Sequence, residues 1–344
     1  MAKNVKEGGL IKESQNITPI LEVNGLSTSF LTATGEIKAV RDVSFSLYKG
    51  EVLAVVGESG CGKSVTARSV LRLIEPPGYI KSGQVLLNGV NLLNLSENEM
   101  RRIRGAEISM VFQDPMISFD PVYTVGQQFT EALLAHKRIS RYEAKQKALH
   151  MLSAVSLREP ERVFKSYPFQ LSGGMRQRVM IAIALAMDPQ VLIADEPTTA
   201  LDVTVQSGIL TELRRLNKEI GCAIILITHD LGVVAELADR VAVMYAGRIV
   251  ETGSVYDIFD HAQHPYTRAL LASTNPAKED GWLITIPGQP PVMASLPPGC
   301  SFAGRCPEAS GLCVHSEPKL YPETSEHRVS CWHTQSEERK IAGA

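Results

Sequence analysis

The sequence predicts an α/β fold built on a mostly parallel sheet. Apolar runs at residues 51–56, 191–194 and 223–228 are nearly continuous, which is typical of strands buried on both faces. Helical segments separate these runs, and this alternation predicts helices packed around a parallel sheet. A glycine-rich loop follows the first run and two adjacent acids end the second, so these strand ends carry the candidate chemistry.

The segments around this layer add an antiparallel part and a helical part. Residues 20–30 and 83–89 are predicted strands, and residues 38–47 end in the alternating pattern of an antiparallel strand. Residues 126–160 are mostly helical, without a buried-strand run. We therefore expect an antiparallel β subdomain and a helical subdomain inserted at about residues 115–172. Further helices are predicted at about 63–74, 94–104, 172–187, 203–220 and 231–238, and a strand pair at 240–253.

Length and composition predict one large domain with an appendage. The chain has 344 residues, more than one ordinary compact domain. After about residue 260 the periodicity fades, and residues 286–298 hold five prolines. We expect a disordered or extended tail at 1–18, a large α/β domain at 19–260 and a loop-rich extension at 261–344. This extension lacks the residues for a core of its own, which predicts a staple.

Charge and hydropathy argue against three classes of protein: nucleic-acid-binding, membrane-spanning and secreted. The formal net charge of −2 gives no basic surface for nucleic acid. No apolar run approaches the ~18 residues that a membrane span needs, and the polar N-terminus has no signal-peptide core. We expect a cytoplasmic protein, which another protein must hold if it works at a membrane.

The glycine-rich loop has the sequence of a phosphate-binding loop. Residues 57–64, GESGCGKS, match the pattern G-x-x-x-x-G-K-[ST] between a buried strand and a helix. Its glycines allow a tight turn that presents backbone N–H groups to phosphates, and the helix N-terminus adds a positive dipole end. Lys63 can reach the β- and γ-phosphates, and Ser64 can bind Mg²⁺. The predicted nucleotide contacts are Gly57, Ser59, Gly60, Cys61, Gly62, Lys63, Ser64 and Val65; Cys61 fills a position open to any residue and has no predicted redox role.

The two acids at residues 195 and 196 are the candidate metal and water ligands. Asp195 ends an apolar strand, where it can hold Mg²⁺ directly or through water. Glu196 follows, placed to orient and polarise the attacking water, as phosphoryl transfer requires.

A third motif carries a resemblance to a known family. Residues 171–175, LSGGM, lie between the phosphate loop and the acid pair and precede a helix. This segment resembles the LSGGQ signature of ATP-binding cassette (ABC) ATPases, and the resemblance then covers nearly the whole chain. It implies that Gln113 is the Q-loop glutamine, with catalytic and Mg²⁺-binding roles, that residues 200–202 are the D-loop, that His229 is the switch histidine, and that Phe30 stacks on adenine.

The resemblance also implies a shared active site. Ser172, Gly173 and Gly174 offer a hydroxyl, backbone N–H groups and a helix N-terminus, which together favour an anion. In the family this site meets the γ-phosphate held by the opposite subunit, so two cassettes must pair. Glu196 and His229 are both intact, which predicts a hydrolysis-competent site.

Other motifs resemble the ATPase subunits of dipeptide, oligopeptide and nickel importers. They are QDPM at 113–116, PVYTVG at 121–126 and HPYTRAL at 264–270, and MRQR at 175–178 resembles the first of two ATPase paralogues. The resemblance implies a second ATPase subunit, two transmembrane permeases, an indirect extracytoplasmic binding protein and no nucleic acid. The chain would work as a peripheral protein on the cytoplasmic face of the membrane. Residues near 113–123 would border the groove for a permease helix.

Four cysteines form a separate cluster in the sequence, with spacing C-x5-C-x6-C-x17-C. Four thiolates suit a [4Fe–4S] cluster, to which the resemblance also points, whereas structural zinc sites usually contain C-x2-4-C pairs. Zinc and free thiols remain as alternatives. We expect a structural staple, with neighbouring His315, His327 and His333 solvated. The predicted ligands are Cys300, Cys306, Cys313 and Cys331.

Two other functions make different predictions. A soluble ABC ATPase acting on nucleic acid or ribosomes predicts two cassettes in one chain, a coiled-coil insertion or a basic surface. A regulatory subunit without hydrolysis predicts a degraded Glu196 or His229.

Overall fold

The computed structural model describes residues 18–33, 35–114, 118–198, 203–274, 285–322 and 326–335. The tail predicted at 1–18 lies outside this part of the chain except for Thr18.

A seven-stranded mixed sheet forms the centre of the described structure. Its order is β11-β10-β9-β3-β8-β7-β6, and the pairs from β9 to β6 are parallel. All residues of the strands β3, β7 and β8 are buried, as the apolar runs predicted. Its strands are β3 (Val52–Val56), β6 (Ile108–Val111), β7 (Val191–Asp195), β8 (Ala223–Ile227), β9 (Arg240–Tyr245), β10 (Arg248–Ser254) and β11 (Arg328–Val329).

An antiparallel sheet of four strands lies beside the central sheet. Its order is β2-β1-β4-β5, formed by β1 (Leu21–Thr32), β2 (Gly35–Leu47), β4 (Gly78–Leu87) and β5 (Val90–Asn91). One apolar core joins both sheets, because residues such as Leu21 and Phe45 pack in the same cluster as Leu53 and Ile193. The predicted α/β class with an antiparallel β subdomain is confirmed.

The helices follow local signals in the sequence. Ser96, Thr124, Ser140 and Ser254 each cap a helix and pair with an acid or glutamine three residues later, which satisfies free backbone N–H groups. The described helices are α1 (Lys63–Val70), α2 (Glu97–Ile103), α3 (Val125–His136), α4 (Arg141–Ala154), α5 (Pro160–Lys165), α6 (Gly173–Leu185), α7 (Val203–Ile220), α8 (Leu231–Leu237), α9 (Val255–Asp260), α10 (Pro265–Thr274) and α11 (Gly311–His315).

Several elements differ from the prediction: α9 and α10 were not predicted as helices, and α1 and β6 also differ. Helix α1 ends at Val70 instead of residue 74, because Arg72 takes a left-handed φ of 53° that a helix cannot continue. The short edge strand β6 was not predicted, since four residues are too few to show a period.

The C-terminal region from residue 261 packs directly on the cassette. Strand β11 pairs with β10, and Tyr266 and Phe302 are buried in one cluster with Val56 and Tyr245 of the central sheet. The extension therefore shares a hydrophobic core with the cassette. This shared core stabilises the extension, whose own sequence has too few apolar residues for a separate core. No described helix is long and apolar enough to cross a membrane.

Candidate functional site

The phosphate loop lies between β3 and α1, as predicted. Gly57, Gly60 and Gly62 have φ of 151°, 78° and 108°, which side chains rarely allow. A Cβ at Gly57 would lie 2.2 Å from the Met244 carbonyl oxygen, and one at Gly62 would lie 2.4 Å from that of Ala39. The loop is therefore packed tightly against β2 and the end of β9, where only glycine fits.

Lys63 is folded back over this loop. Its Nζ donates to the carbonyl oxygens of Gly57 at 2.7 Å and Glu58 at 3.1 Å, and the side chain is buried. A phosphate bound in the loop would meet this ammonium group together with the N-terminus of α1. Burial raises the pKa of the neighbouring Cys61 thiol, so this cysteine is a neutral packing group.

Ser64 and Asp195 join the loop to the end of β7. The Ser64 hydroxyl donates to Oδ1 of Asp195 at 2.9 Å. Burial raises the pKa of Asp195, and the Glu196 charge adds to the rise while the Ser64 bond opposes it. A hydroxyl and a carboxylate are oxygen ligands that suit Mg²⁺, which would also stabilise the ionised carboxylate. These residues fit the predicted metal.

Glu196 is held between the two other predicted catalytic side chains. Gln113 donates from Nε2 to Oε2 of Glu196 at 3.0 Å, and Nδ1 of His229 lies 3.3 Å from Oε1. The side chain of His229 is 58% exposed and that of Glu196 is 12% exposed, so solvent reaches these three side chains from the side of His229. The structure brings together three residues that are far apart in sequence, with the carboxylate oriented by both partners.

The backbone at Glu196 is in the left-handed region, with φ of 48°. This conformation costs roughly 1–2 kcal/mol for a residue other than glycine. The Glu196 N–H donates to the Ile227 carbonyl oxygen at 2.8 Å, which ties the turn to β8. Such strain occurs where a site requires one side-chain direction.

The LSGGM segment forms the start of α6. Ser172 is the N-cap, and its exposed hydroxyl accepts a bond from the Met175 N–H at 3.3 Å. Gly173 is also exposed, so the free N–H groups of the helix start face solvent. The structure confirms the predicted helix start.

Phe30 lies at the far end of β1, opposite Gly78. A Cβ on Gly78 would meet its ring at 2.5 Å, so the ring lies close against that glycine. Two residues earlier, Thr28 shares a hydrogen bond of 2.7 Å with Ser69 of α1. The ring is thus near the second half of α1, and its stacking on adenine stays a prediction. The predicted D-loop, 200–202, and residues 115–117 lie outside the described residues.

Sequence reasoning missed a contact between Glu58 of the phosphate loop and two C-terminal residues, Tyr266 and Arg305. Glu58 fills an open position of the motif, but its N–H donates to the Tyr266 hydroxyl at 2.9 Å. Its carboxylate accepts two bonds from Arg305, at 2.7 and 3.0 Å. No local pattern links positions 58 and 305, so no signal in one sequence could have found this contact.

The four C-terminal cysteines lie in one small unit. The Cys300 N–H donates to the Cys313 carbonyl oxygen at 2.7 Å, and Gly299 allows that approach because a Cβ there would lie 2.2 Å from the same oxygen. Burial raises the pKa of Cys300 to about 11, and the thiols of Cys313, Cys306 and Cys331 add to the rise. All four are free thiols.

The predicted metal cluster is not supported by this arrangement. Among the residues the structure describes, no group of three or more His, Cys, Asp or Glu side chains could hold a metal ion. The other three thiols nevertheless contribute to the raised pKa of Cys300, so the four lie near one another. The prediction that His327 is solvated was wrong, because its Nε2 lies 2.9 Å from Oε1 of fully buried Glu251 and the ring is only 14% exposed.

The chain is similar to known proteins over most of its length. A family model described as ABC transporter matches residues 40–199, and one described as Oligopeptide/dipeptide transporter, C-terminal region, matches residues 250–313. Dipeptide transport ATP-binding protein DppD of Bacillus subtilis is 51% identical over 315 residues, covering 91% of this chain and 94% of that protein. Oligopeptide transport ATP-binding protein OppD of Salmonella typhimurium is 49% identical over 300 residues, covering 87% and 89%.

Solved structures give the same result. The dimeric cassette MJ0796, in a post-hydrolysis state with ADP and Pi, has a TM-score of 0.62 at 29% identity, covering 68% of this chain and 98% of that one. Fold and site therefore define an ATPase of the ATP-binding cassette class. Within that class, the chain belongs to the family of ATP-binding subunits of dipeptide and oligopeptide ABC transporters.

Proposed function

We propose that this chain hydrolyses ATP as one of two cassettes in a peptide importer, on the cytoplasmic face of the membrane. The observation that carries the proposal is the position of Glu196, oriented by Gln113 and His229 and one residue beyond the Asp195–Ser64 bond. This geometry puts a candidate general base next to the metal ligands and the phosphate loop.

Some of the site residues would bind ATP and Mg²⁺, and others would take part in proton transfer. Lys63 and the N–H groups of the loop bind the phosphates, while Ser64 and Asp195 would hold Mg²⁺, which supplies positive charge to the phosphate oxygens. Glu196 orients the attacking water and accepts its proton. Gln113 and His229 fix the direction of that carboxylate.

The open signature segment supports pairing with a second cassette. Ser172 and Gly173 are exposed at the start of α6, where helix N–H groups favour an anion. Gly174 completes the segment, which would bind the γ-phosphate held by the partner. We assign the partner as a second, non-identical ATPase on the resemblance of residues 175–178 to the first paralogue.

An apolar cleft supports contact with a permease. The cleft measures about 220 Å³ between β6, α3 and α6, and its lining includes Phe112, Phe119 and Met180. Phe112 is 37% exposed and adjoins Gln113, and nearby Val122 is 69% exposed. A permease helix in this cleft would connect solute movement to Glu196 through Gln113. The two permeases would hold the chain at the membrane and connect it to an extracytoplasmic binding protein.

Purification of the tagged chain from detergent-solubilised membranes tests this set of partners. We expect two permeases and a second ATPase to copurify with it. Recovery of the chain from membranes as a homodimer without permeases would contradict the proposal.

We propose peptides as the solute, with nickel as the alternative in related importers. The relatives named for dipeptide and oligopeptide transport support peptides. The test is uptake of a labelled dipeptide and of ⁶³Ni²⁺ in cells that lack this chain. Dipeptide uptake should fall and return with the wild-type chain but not with Lys63→Ala. Arg268→Gln, which changes an exposed ion pair outside the site, is the matched control. Normal dipeptide uptake without the chain would overturn the solute assignment.

For the four cysteines we propose a shared structural site, with a [4Fe–4S] cluster as the occupant and zinc as the alternative. The support is their gathering in one unit around the Cys300–Cys313 backbone bond. Iron, sulfide and zinc are measured in anaerobically purified chain. Four irons and four sulfides support the cluster, and a protein with neither metal contradicts the site.

The soluble alternative, an ABC ATPase acting on nucleic acid or ribosomes, has no supporting observation. The net charge is −2, and both family matches are to transporter proteins. We keep the division into a tail, a nucleotide-binding domain at 19–260 and an extension at 261–344 as a proposal.

A further inference from the structure

The region from residue 261 onward, called the C-terminal unit below, forms hydrogen bonds with the phosphate loop at Glu58. The Glu58 N–H donates to the hydroxyl of Tyr266 in α10, at 2.9 Å. The two carboxylate oxygens of Glu58 accept bonds from both terminal nitrogens of Arg305, at 2.7 and 3.0 Å. Both the backbone and the side chain of the second loop residue are therefore fixed from outside the cassette core.

Contacts other than those with Glu58 also fix the position of Arg305. Its Nε donates to the Pro287 carbonyl oxygen at 2.8 Å, and its guanidinium lies 5.9 Å from the ring centres of both Tyr245 and Phe302. The side chain is only 6% exposed. The hydrogen bonds to Glu58 hold the pKa of Arg305 above its usual value, so the cation is permanent. Because this guanidinium is planar, buried and fixed in orientation, its two hydrogen bonds fix the direction of the Glu58 carboxylate.

This contact affects the atoms that bind ATP. The carbonyl oxygens of Gly57 and Glu58 accept hydrogen bonds from Nζ of Lys63. The Glu58 carbonyl oxygen also accepts one from the Cys61 N–H at 3.3 Å. Moving Glu58 would therefore move both the lysine and the turn that presents the loop N–H groups. A free Glu58 carboxylate would also repel the phosphates of ATP.

We propose that Arg305 is a positioning residue for ATP binding, through which the C-terminal unit orders the phosphate loop and neutralises Glu58. Arg305 does not touch the nucleotide in this account and acts only through Glu58. The proposal rests on ATP binding by the cassette and not on the transported solute, so a different solute leaves it unchanged.

A purely structural role for the same ion pair makes a different prediction. Arg268 and Glu308 also form an ion pair within the extension, but both side chains are nearly half exposed and neither contacts the loop in the described structure. If Arg305 only docks the extension, its loss should lower thermal stability without a selective effect on the nucleotide. If it positions the loop, nucleotide affinity should change first.

The experiment compares purified full-length chains carrying Arg305→Gln, Glu58→Gln, both changes together, Arg305→Lys, and Arg268→Gln as the matched control. The dissociation constant for Mg·AMP-PNP is measured by calorimetry, with KM and kcat for ATP hydrolysis and the melting temperature without nucleotide. We expect Arg305→Gln to raise the dissociation constant and KM roughly 3- to 10-fold, because the competent loop is less populated and an unpaired carboxylate remains. The value of kcat should change less than about two-fold, since Glu196 is untouched.

The other variants separate the two roles. Glu58→Gln and the double variant should bind Mg·AMP-PNP more tightly than Arg305→Gln, since neither leaves an unpaired carboxylate. Arg305→Lys should recover part of the affinity through one retained bond, and Arg268→Gln should match the wild type. An Arg305→Gln chain that binds like Arg268→Gln, an effect confined to kcat, or single effects that multiply in the double variant would overturn the proposal. If Arg305→Gln does not fold, Arg305→Lys, which keeps the cation, takes its place, and Mg·AMP-PNP binding equal to that of Arg268→Gln would then overturn the proposal. A wild-type chain that fails to bind Mg·AMP-PNP would instead overturn ATP binding itself.

Discussion

Two glycines of the phosphate loop differ in what an added methyl group would meet. Gly60 and Gly62 both have left-handed φ, 78° and 108°. A Cβ at Gly60 would have no heavy atom within 4 Å, whereas a Cβ at Gly62 would lie 2.4 Å from the Ala39 carbonyl oxygen. That oxygen belongs to the backbone of β2 and cannot move aside by side-chain rotation. The pair of variants Gly60→Ala and Gly62→Ala therefore separates backbone strain from steric contact.

The structure gives the size of each effect. Backbone strain in the left-handed region lowers the free energy of unfolding by about 1–2 kcal/mol in either variant. The contact in Gly62→Ala adds about 1–3 kcal/mol, the usual effect of overpacking. At about 2–4 °C per kcal/mol, the melting temperature of Gly62→Ala should be lower than that of Gly60→Ala by about 2–12 °C.

The assay is thermal unfolding of the full chain without nucleotide, followed by circular dichroism. Measurement without nucleotide excludes any effect of lost phosphate contacts on the melting temperature. Equal melting temperatures, or a lower one for Gly60→Ala, would show that the loop is not packed against β2 as described.

Two further predictions concern buried titratable groups. Asp195→Asn should abolish Mg²⁺-dependent hydrolysis, yet its melting temperature at pH 7 without Mg²⁺ should not fall below that of the wild type, because burial raises the pKa of Asp195 and disfavours its charge; a clear loss of stability would contradict this account. Burial lowers the pKa of His264 to about 4, so the unfolded chain binds more protons between pH 6.5 and 4 and stability is lost as the pH falls through that window. His264→Asn, which can still accept the Tyr266 N–H, should remove about 2 kcal/mol of this loss, measured as the change in urea unfolding between pH 7 and pH 5; an unchanged pH dependence would refute the role of His264.

The cassette could be predicted because its signals are local. The apolar run at 51–56, the glycine-rich loop and the helix after it are adjacent in sequence, and each has a distinct pattern. Strands β3, β7 and β8 could be predicted from their nearly continuous apolar runs, because such runs are typical of strands buried on both faces. The three residues predicted to be catalytic were named from motifs, but their meeting at Glu196 follows only from the parallel order of β6, β7 and β8.

The C-terminal region was harder to predict because its contacts are long-range. Arg305 meets Glu58 across 247 positions, and β11 pairs with β10 through only two residues. His327 looked solvated in a polar segment, yet buried Glu251 binds it together with two backbone N–H groups. Such contacts depend on how the extension docks, which no periodicity records. The spacing of the cysteines likewise could not show that Cys300 and Cys313 are joined by a backbone hydrogen bond.

We propose that Glu196 prepares the water that attacks ATP in a site completed by a second cassette. This role is tested most directly by ATP hydrolysis and ATP-induced cassette pairing in Glu196→Gln, within the assembled transporter. Glutamine can keep the contacts with Gln113 and His229 but cannot accept the proton, so turnover should fall about 10²- to 10⁴-fold. ATP should still bind and should hold the two cassettes in a stable closed pair. Hydrolysis near the wild-type rate, or no cassette pairing with ATP, would contradict the account.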